Sequence, residues 1–165
     1  MESWAEKYRP KNLSEIIGNT RTITELKNWA HSWGGKMTKK GVILSGPPGC
    51  GKTSAAIALA NEMGWEIIEL NASDARSGNV IEGTALRAGL FQTFGEKGIS
   101  DRNLILLDEA DNLYERARQS KNKTKNYSDR GGKKAISKTL EQTKQPVIIT
   151  VNDLYNLTKG TGAKI

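Results

Sequence analysis

Eight consecutive residues, Gly46-Pro47-Pro48-Gly49-Cys50-Gly51-Lys52-Thr53, fill the pattern G-x-x-x-x-G-K-[ST] completely. Glycines at these spacings let the backbone curl so that its N–H groups face phosphate oxygens. A helix starting at Lys52 would add the partial positive charge of its N-terminus at the same place. Lys52 would reach the β- and γ-phosphates, and the Thr53 hydroxyl would ligate Mg²⁺. The phosphate-binding set runs on to Ser54, while Cys50 only fills a loop position. The competing reading is a glycine turn with a chance lysine. The context argues against it, because an apolar run precedes the motif and an alanine-rich helical stretch follows.

A second chemical group follows 55 residues later, where Leu104-Ile105-Leu106-Leu107 ends in Asp108 and Glu109. Carboxylates at the C-terminal end of a buried strand sit on the edge where open α/β sheets bind ligands. Asp108 would hold Mg²⁺, and Glu109 would orient and deprotonate an attacking water. Two acids opening a surface loop would look the same in isolation; the phosphate loop upstream tips the balance. Asp108-Glu109-Ala110-Asp111 also spells the signature of an RNA helicase family. The 54 residues that follow it cannot form the second lobe those helicases need. Asn152, directly after Val147–Val151, is either an amide directed at a γ-phosphate or an ordinary strand-ending Asn before a turn.

These residues require a scaffold of alternating strands and helices. Ile23, Leu26, Trp29, Ala30 and Trp33 recur at helical spacing over 20–33, with a capping box expected at Thr22 and Glu25. Strands are expected at 41–45, 65–70, 104–107 and 147–151, and helices at 52–63, 79–92 and near 132–143. The alternation predicts a parallel sheet covered on both faces.

Length and composition fit this scheme. A chain of 165 residues forms one domain and at most a small second one. No apolar run approaches the roughly 20 residues of a membrane-spanning helix, and the first residues lack a secretory pattern, so no membrane partner is expected. A single cysteine excludes an internal disulfide and any multi-cysteine metal site, and a cytoplasmic setting is expected. The N-x-[ST] matches at Asn71, Asn122, Asn126 and Asn156 are then chance. The net charge is +7, and segment 116–134 holds eight bases against one acid, leaving 17 of each elsewhere. That stretch is either a positive field for nucleic acid or a solvated loop.

Together, SGPPGCGKT, the acidic strand end and the Asn after the last strand resemble an AAA+ ATPase. Three further strings, Trp4-Ala5-Glu6-Lys7-Tyr8-Arg9-Pro10-Lys11, Glu69-Leu70-Asn71-Ala72-Ser73-Asp74 and Gln145–Asp153, resemble boxes of the clamp loaders. Among these the chain is most similar to the archaeal replication factor C large-subunit family, over residues 3–157. The resemblance implies a P-loop NTPase fold of the AAA+ type, with a parallel sheet flanked by helices. It also implies ATP and Mg²⁺ as cofactors, and small subunits, a sliding clamp and primer–template DNA as partners. Tyr8, Arg9 and Pro10, with Ile16 and Ile17, would line the adenine and ribose pocket. Lys52, Glu109 and Asn152 would serve catalysis, with Asn152 as first sensor. Arg76 and Ser77 would face DNA. Leu90, Phe91 and Phe94 would touch the clamp, the alternative for this aromatic pair being core packing.

By the same resemblance, residues 1–20 carry the nucleotide-pocket box, 21–157 the core and 158–165 a tail, with the chain ending before the family's lid and collar. Weak ATPase activity is expected of the chain alone, because such sites take an arginine from a neighbour, worth roughly 10³–10⁵ in rate. The alternatives are a nucleotide-binding interaction module that hydrolyses nothing, or another AAA+ factor acting on DNA.

Overall fold

The computed structural model describes residues 4–33, 39–71, 102–110, 136 and 140–155. Expectations for the helix at 79–92, the basic segment 116–134 and the tail lie outside these residues. So do those for Arg76, Ser77, Leu90, Phe91 and Phe94.

The chain opens with a short helix α1 (Trp4–Lys7) and a single 3₁₀ turn at Leu13–Glu15. Helix α2 (Thr20–Ser32) buries Leu26, Trp29 and Ala30, the i, i+3, i+4 stripe that its sequence spacing predicts. Strand β1 (Gly41–Ser45) leads through the phosphate-loop sequence into helix α3 (Lys52–Met63). Strands β2 (Glu66–Asn71), β3 (Asn103–Asp108) and β4 (Val147–Val151) complete the regular elements. Ile136 and residues 140–142 are also helical.

The capping box does not form. Helix α2 begins two residues before Thr22, behind Asn19 in a left-handed conformation and without a side-chain cap. Thr22 therefore sits inside the first turn, where its hydroxyl is not placed to cap. Glu25 instead pairs with Arg21, one turn back, at 3.0 Å. Strand β2 starts one residue later than expected. The N–H of Trp65 turns back to close the end of helix α3 on the carbonyl of Ala60 at 2.8 Å.

All pairings are parallel, in the order β1-β4-β3-β2. Strands β3 and β4 lie inside the sheet, which explains their unbroken apolar sequences. Alternate residues feed two separate cores. Leu104, Leu106 and Ile148 pack with Leu26, Trp29 and Leu59 on one face. Ile105, Leu107, Val147, Ile149 and Val151 pack with Ile136 on the other. The expected two-sided sheet is thus present. Helix α3 buries Ala55, Ala56, Ala58, Leu59 and Ala60, and these small side chains let it lie close against the sheet. Trp29 stands edge-on to Trp33 and Trp65, with centroids 5.6 and 6.5 Å away. No described helix is long and apolar enough to cross a membrane.

The topology matters for the site. The chain leaves β1 at one edge, and β2 lies at the opposite edge with β4 and β3 between them. The C-terminal ends of β1, β4 and β3 are consecutive in the sheet, so whatever follows each strand meets in one crevice.

Candidate functional site

Strand register sets the first distances. Ser45 pairs with Val151, which brings the start of the phosphate loop beside Asn152, and the N–H of Gly46 donates to the Val151 carbonyl at 3.2 Å. Leu107 pairs with Ile149, so the next positions, Asp108 and Thr150, also come together.

The loop from Gly46 to Gly51 needs its glycines. Gly49 has φ +77° and Gly51 φ +92°, conformations that a side chain strongly disfavours. Gly51 then hands over to helix α3, its carbonyl accepting the first helical bond from the N–H of Ala55 at 2.8 Å. The leading N–H groups of helix α3 have no acceptor within the helix, which leaves them available to an anion at its start.

Lys52 folds back over this loop. Its ammonium donates to the carbonyls of Gly46 (2.8 Å) and Pro47 (3.0 Å) and to Asn152 Oδ1 (3.0 Å). The ammonium thus stands among the loop and the end of β4 together. Thr53 Oγ1 donates to Asp108, 2.9 Å from Oδ1 and 3.2 Å from Oδ2. The two residues expected to hold a metal are therefore in direct contact. Glu109, the next residue, adopts φ +52°.

Thr150 was not among the expected site residues. It is 1% exposed, its hydroxyl donates to Asp108 Oδ1, and the same oxygen accepts the N–H of Glu109 at 3.0 Å. Its carbonyl accepts the N–H of Ala110 at 2.9 Å. A sequence signal existed: Thr150 is the one hydroxyl in a strand otherwise made of Val and Ile, and a buried hydroxyl needs partners.

A cavity of about 230 Å³ opens over these groups, lined by Pro48, Gly49, Gly51, Lys52, Thr53, Ser54, Asp108, Glu109, Thr150 and Asn152. Most of the expected phosphate, metal and catalytic residues thus converge on one space. A hydroxyl and a carboxylate offer the hard oxygen ligands that Mg²⁺ prefers. Among the described residues no cluster of three or more His, Cys, Asp or Glu could hold a metal.

The N-terminal box is not part of this cavity. Tyr8 is 68% and Ile17 99% exposed, Arg9 is exposed, and Pro10 and Ile16 are half-buried. Ile16 packs against the core beside the buried Leu13. The segment is fastened to helix α3, where Glu62 accepts the N–H of Leu13 at 3.2 Å and pairs with Lys27. The Lys27 ammonium, hydrogen-bonded to Glu62, holds that carboxyl below its usual range, helped by the Leu13 N–H and opposed by partial burial.

Comparison with known proteins follows the same lines. The sequence model of the ATPase family associated with various cellular activities (AAA) matches residues 42–162, and that of the Rad17 P-loop domain matches residues 1–82. The chain is 48% identical over 160 residues to the replication factor C large subunit of Methanothrix thermoacetophila, covering 96% of this chain and 31% of that protein. For its counterpart in Methanosarcina mazei the figures are 47% over 156 residues, 94% and 23%. The chain thus spans about a third or less of the curated relatives it matches. Among solved structures, a katanin fold superposes with a TM-score of 0.60 at 19% identity, covering 95% of this chain and 55% of that one. A RuvB variant of Thermotoga maritima gives 0.56 at 19% identity, with coverage of 90% and 43%. At that identity these two likenesses speak for the fold alone.

Proposed function

The chain belongs to the AAA family of ATPases, and from that premise we propose that it is the nucleotide-binding part of a clamp-loader large subunit. Its work would be to couple ATP binding and hydrolysis to opening a sliding clamp and placing it on primed DNA. The observation that carries the nucleotide reading is the convergence of Lys52, Thr53, Asp108, Glu109 and Asn152 on one cavity at the sheet's C-terminal edge. The clamp-loader part is supported by the similarity to replication factor C large subunits.

In this reading the backbone N–H groups of 46–53 and the Lys52 ammonium neutralise the β- and γ-phosphates of ATP. Thr53 and Asp108 would hold Mg²⁺, which supplies charge neutralisation across the phosphates. Glu109 takes a proton from a water that attacks the γ-phosphorus in line. The bond to the β–γ bridging oxygen breaks, and ADP and phosphate leave. Asn152, bonded to Lys52, would report the γ-phosphate to strand β4. Tyr8, Arg9, Pro10, Ile16 and Ile17 would receive the adenine and ribose. Arg76 and Ser77 would meet DNA, and Leu90, Phe91 and Phe94 the clamp. Small subunits would complete the site with an arginine.

The test is a titration of the chain with fluorescent ATP and Mg²⁺, followed by ATP turnover with clamp-loader small subunits, clamp and primed DNA. Binding by the wild type, its loss in Lys52→Ala, and turnover that rises with the partners are expected. Absence of binding by folded protein sinks the nucleotide reading. Binding without turnover under every combination would favour an interaction module that hydrolyses nothing. Replacing Phe91 and Phe94 by Ala should weaken clamp binding while sparing ATP binding.

A further inference from the structure

Glu109 and Asn19 are the non-glycine residues with positive φ among those described. Glu109 is also the residue to which the proposed function gives the water. A left-handed glutamate is uncommon, and such backbone persists where surrounding bonds over-determine it. Here the bonds come from Thr150. Its hydroxyl oxygen accepts the Glu109 N–H at 3.0 Å, and its carbonyl accepts the Ala110 N–H at 2.9 Å, so the turn is gripped on both sides. The hydroxyl hydrogen goes to Asp108 Oδ1, the oxygen that Thr53 also approaches at 2.9 Å. One buried hydroxyl therefore touches both members of the acidic pair.

Packing alone does not call for this hydroxyl. Every other residue of β4 is Val or Ile, and valine has threonine's branched shape without the oxygen. We propose that Thr150 is a positioning residue: its hydroxyl holds Glu109 in the left-handed turn and fixes the Asp108 carboxylate, setting the direction from which the pair meets water and metal. This deepens the ATPase reading, since it rests on Glu109 acting as the base.

The experiment compares wild type, Thr150→Val and Thr150→Ser by amide hydrogen exchange resolved at Glu109 and Ala110, by ATP titration and by turnover. In Thr150→Val the Glu109 amide should exchange about three- to tenfold faster, the worth of one net hydrogen bond. The Ala110 amide, held by a backbone carbonyl that the substitution keeps, should not change. Turnover should fall about tenfold with KM within about twofold, and Thr150→Ser should restore both readouts.

The proposal is overturned if the Glu109 amide of Thr150→Val keeps its wild-type rate. It is overturned equally if both amides accelerate together, or if Thr150→Ser behaves like Thr150→Val. Turnover by Thr150→Val at the wild-type kcat would also overturn it. Failure of the wild type to take up ATP would instead strike the underlying reading. The exchange comparison, made without nucleotide, still decides whether Thr150 positions the turn.

Discussion

Lys52 Nζ stands 3.0 Å from Asn152 Oδ1, joining a helix start to a strand end 100 residues further along the chain. The amide oxygen is neutral, so in the proposed reading it sets no anion against a phosphate for the ammonium. Asn152→Asp would put a carboxylate at the same point and give Lys52 a charged partner that competes with the nucleotide. ATP affinity should fall about tenfold in Asn152→Asp, whereas Asn152→Ala should stay within about threefold of wild type. Titration with fluorescent ATP reads the difference, and equal affinities for the two variants would exclude this account of the contact.

The loop's shape gives the second prediction. At φ +92°, Gly51 closes the loop and starts helix α3. Apart from the adjoining backbone, nothing lies within 4 Å of where a Cβ would stand, so the penalty of Gly51→Ala is conformational rather than steric crowding. Thermal or denaturant unfolding should show a loss of about 1–2 kcal/mol, and ATP affinity should drop with it as the N–H groups turn away. A variant as stable as wild type would mean that the loop tolerates a different φ.

Much of this was legible in the sequence, for a physical reason. The phosphate loop, the strand Leu104–Leu107 with its acids and the strand Val147–Val151 with Asn152 are local patterns, each carrying its own periodicity and punctuation. Thr150 stood out as the lone hydroxyl of an apolar strand, but its partners were not legible, because they depend on the register that sets β4 beside β3. The anchoring of the N-terminal segment was hidden for the same reason: Leu13 and Glu62 are 49 residues apart, and no short pattern links them. The capping box failed because the helix begins at Thr20, behind the left-handed Asn19, so Thr22 already lies inside its first turn. The N-terminal box shows a further gap. Its strings carry a resemblance, yet the exposure of Tyr8 and Ile17 is set by tertiary packing.

Glu62 makes stability depend on pH. Its carboxyl is held below the ordinary value of 4.5, chiefly by the hydrogen bond from Lys27. A depressed carboxyl contributes stability above its unfolded pKa, and that contribution disappears as pH falls through the folded value. Wild type should therefore exceed Glu62→Gln in unfolding free energy at pH 7, and the gap should narrow as the pH falls below the ordinary value of 4.5 and through the depressed folded one. The side chain is 23% and that of Lys27 47% exposed, so solvent screening keeps the gap to roughly 0.2–1 kcal/mol and lets salt reduce it. Urea unfolding at neutral and acid pH checks this, and a gap that widened in acid would contradict the sign.

Asp108 allows folding to be separated from the metal role proposed for it, because accepting hydrogen bonds needs only an oxygen whereas holding a cation also needs the charge. It accepts hydrogen bonds from Thr53 and Thr150, the latter 1% exposed. Asp108→Ala leaves a buried hydroxyl without that acceptor, at a cost of about 1–3 kcal/mol. Asp108→Asn, with its amide oxygen in the place of Oδ1, still accepts from both Thr53 and Thr150, so unfolding should change by less than about 1 kcal/mol. What the amide loses is the negative charge a divalent cation seeks. Wild type should bind ATP more tightly with Mg²⁺ than with a chelator, and Asp108→Asn should lose most of that difference while remaining folded. If Asp108→Asn kept the full gain from Mg²⁺, the carboxylate would be a structural acceptor only, and the metal would have to be held by the nucleotide and Thr53.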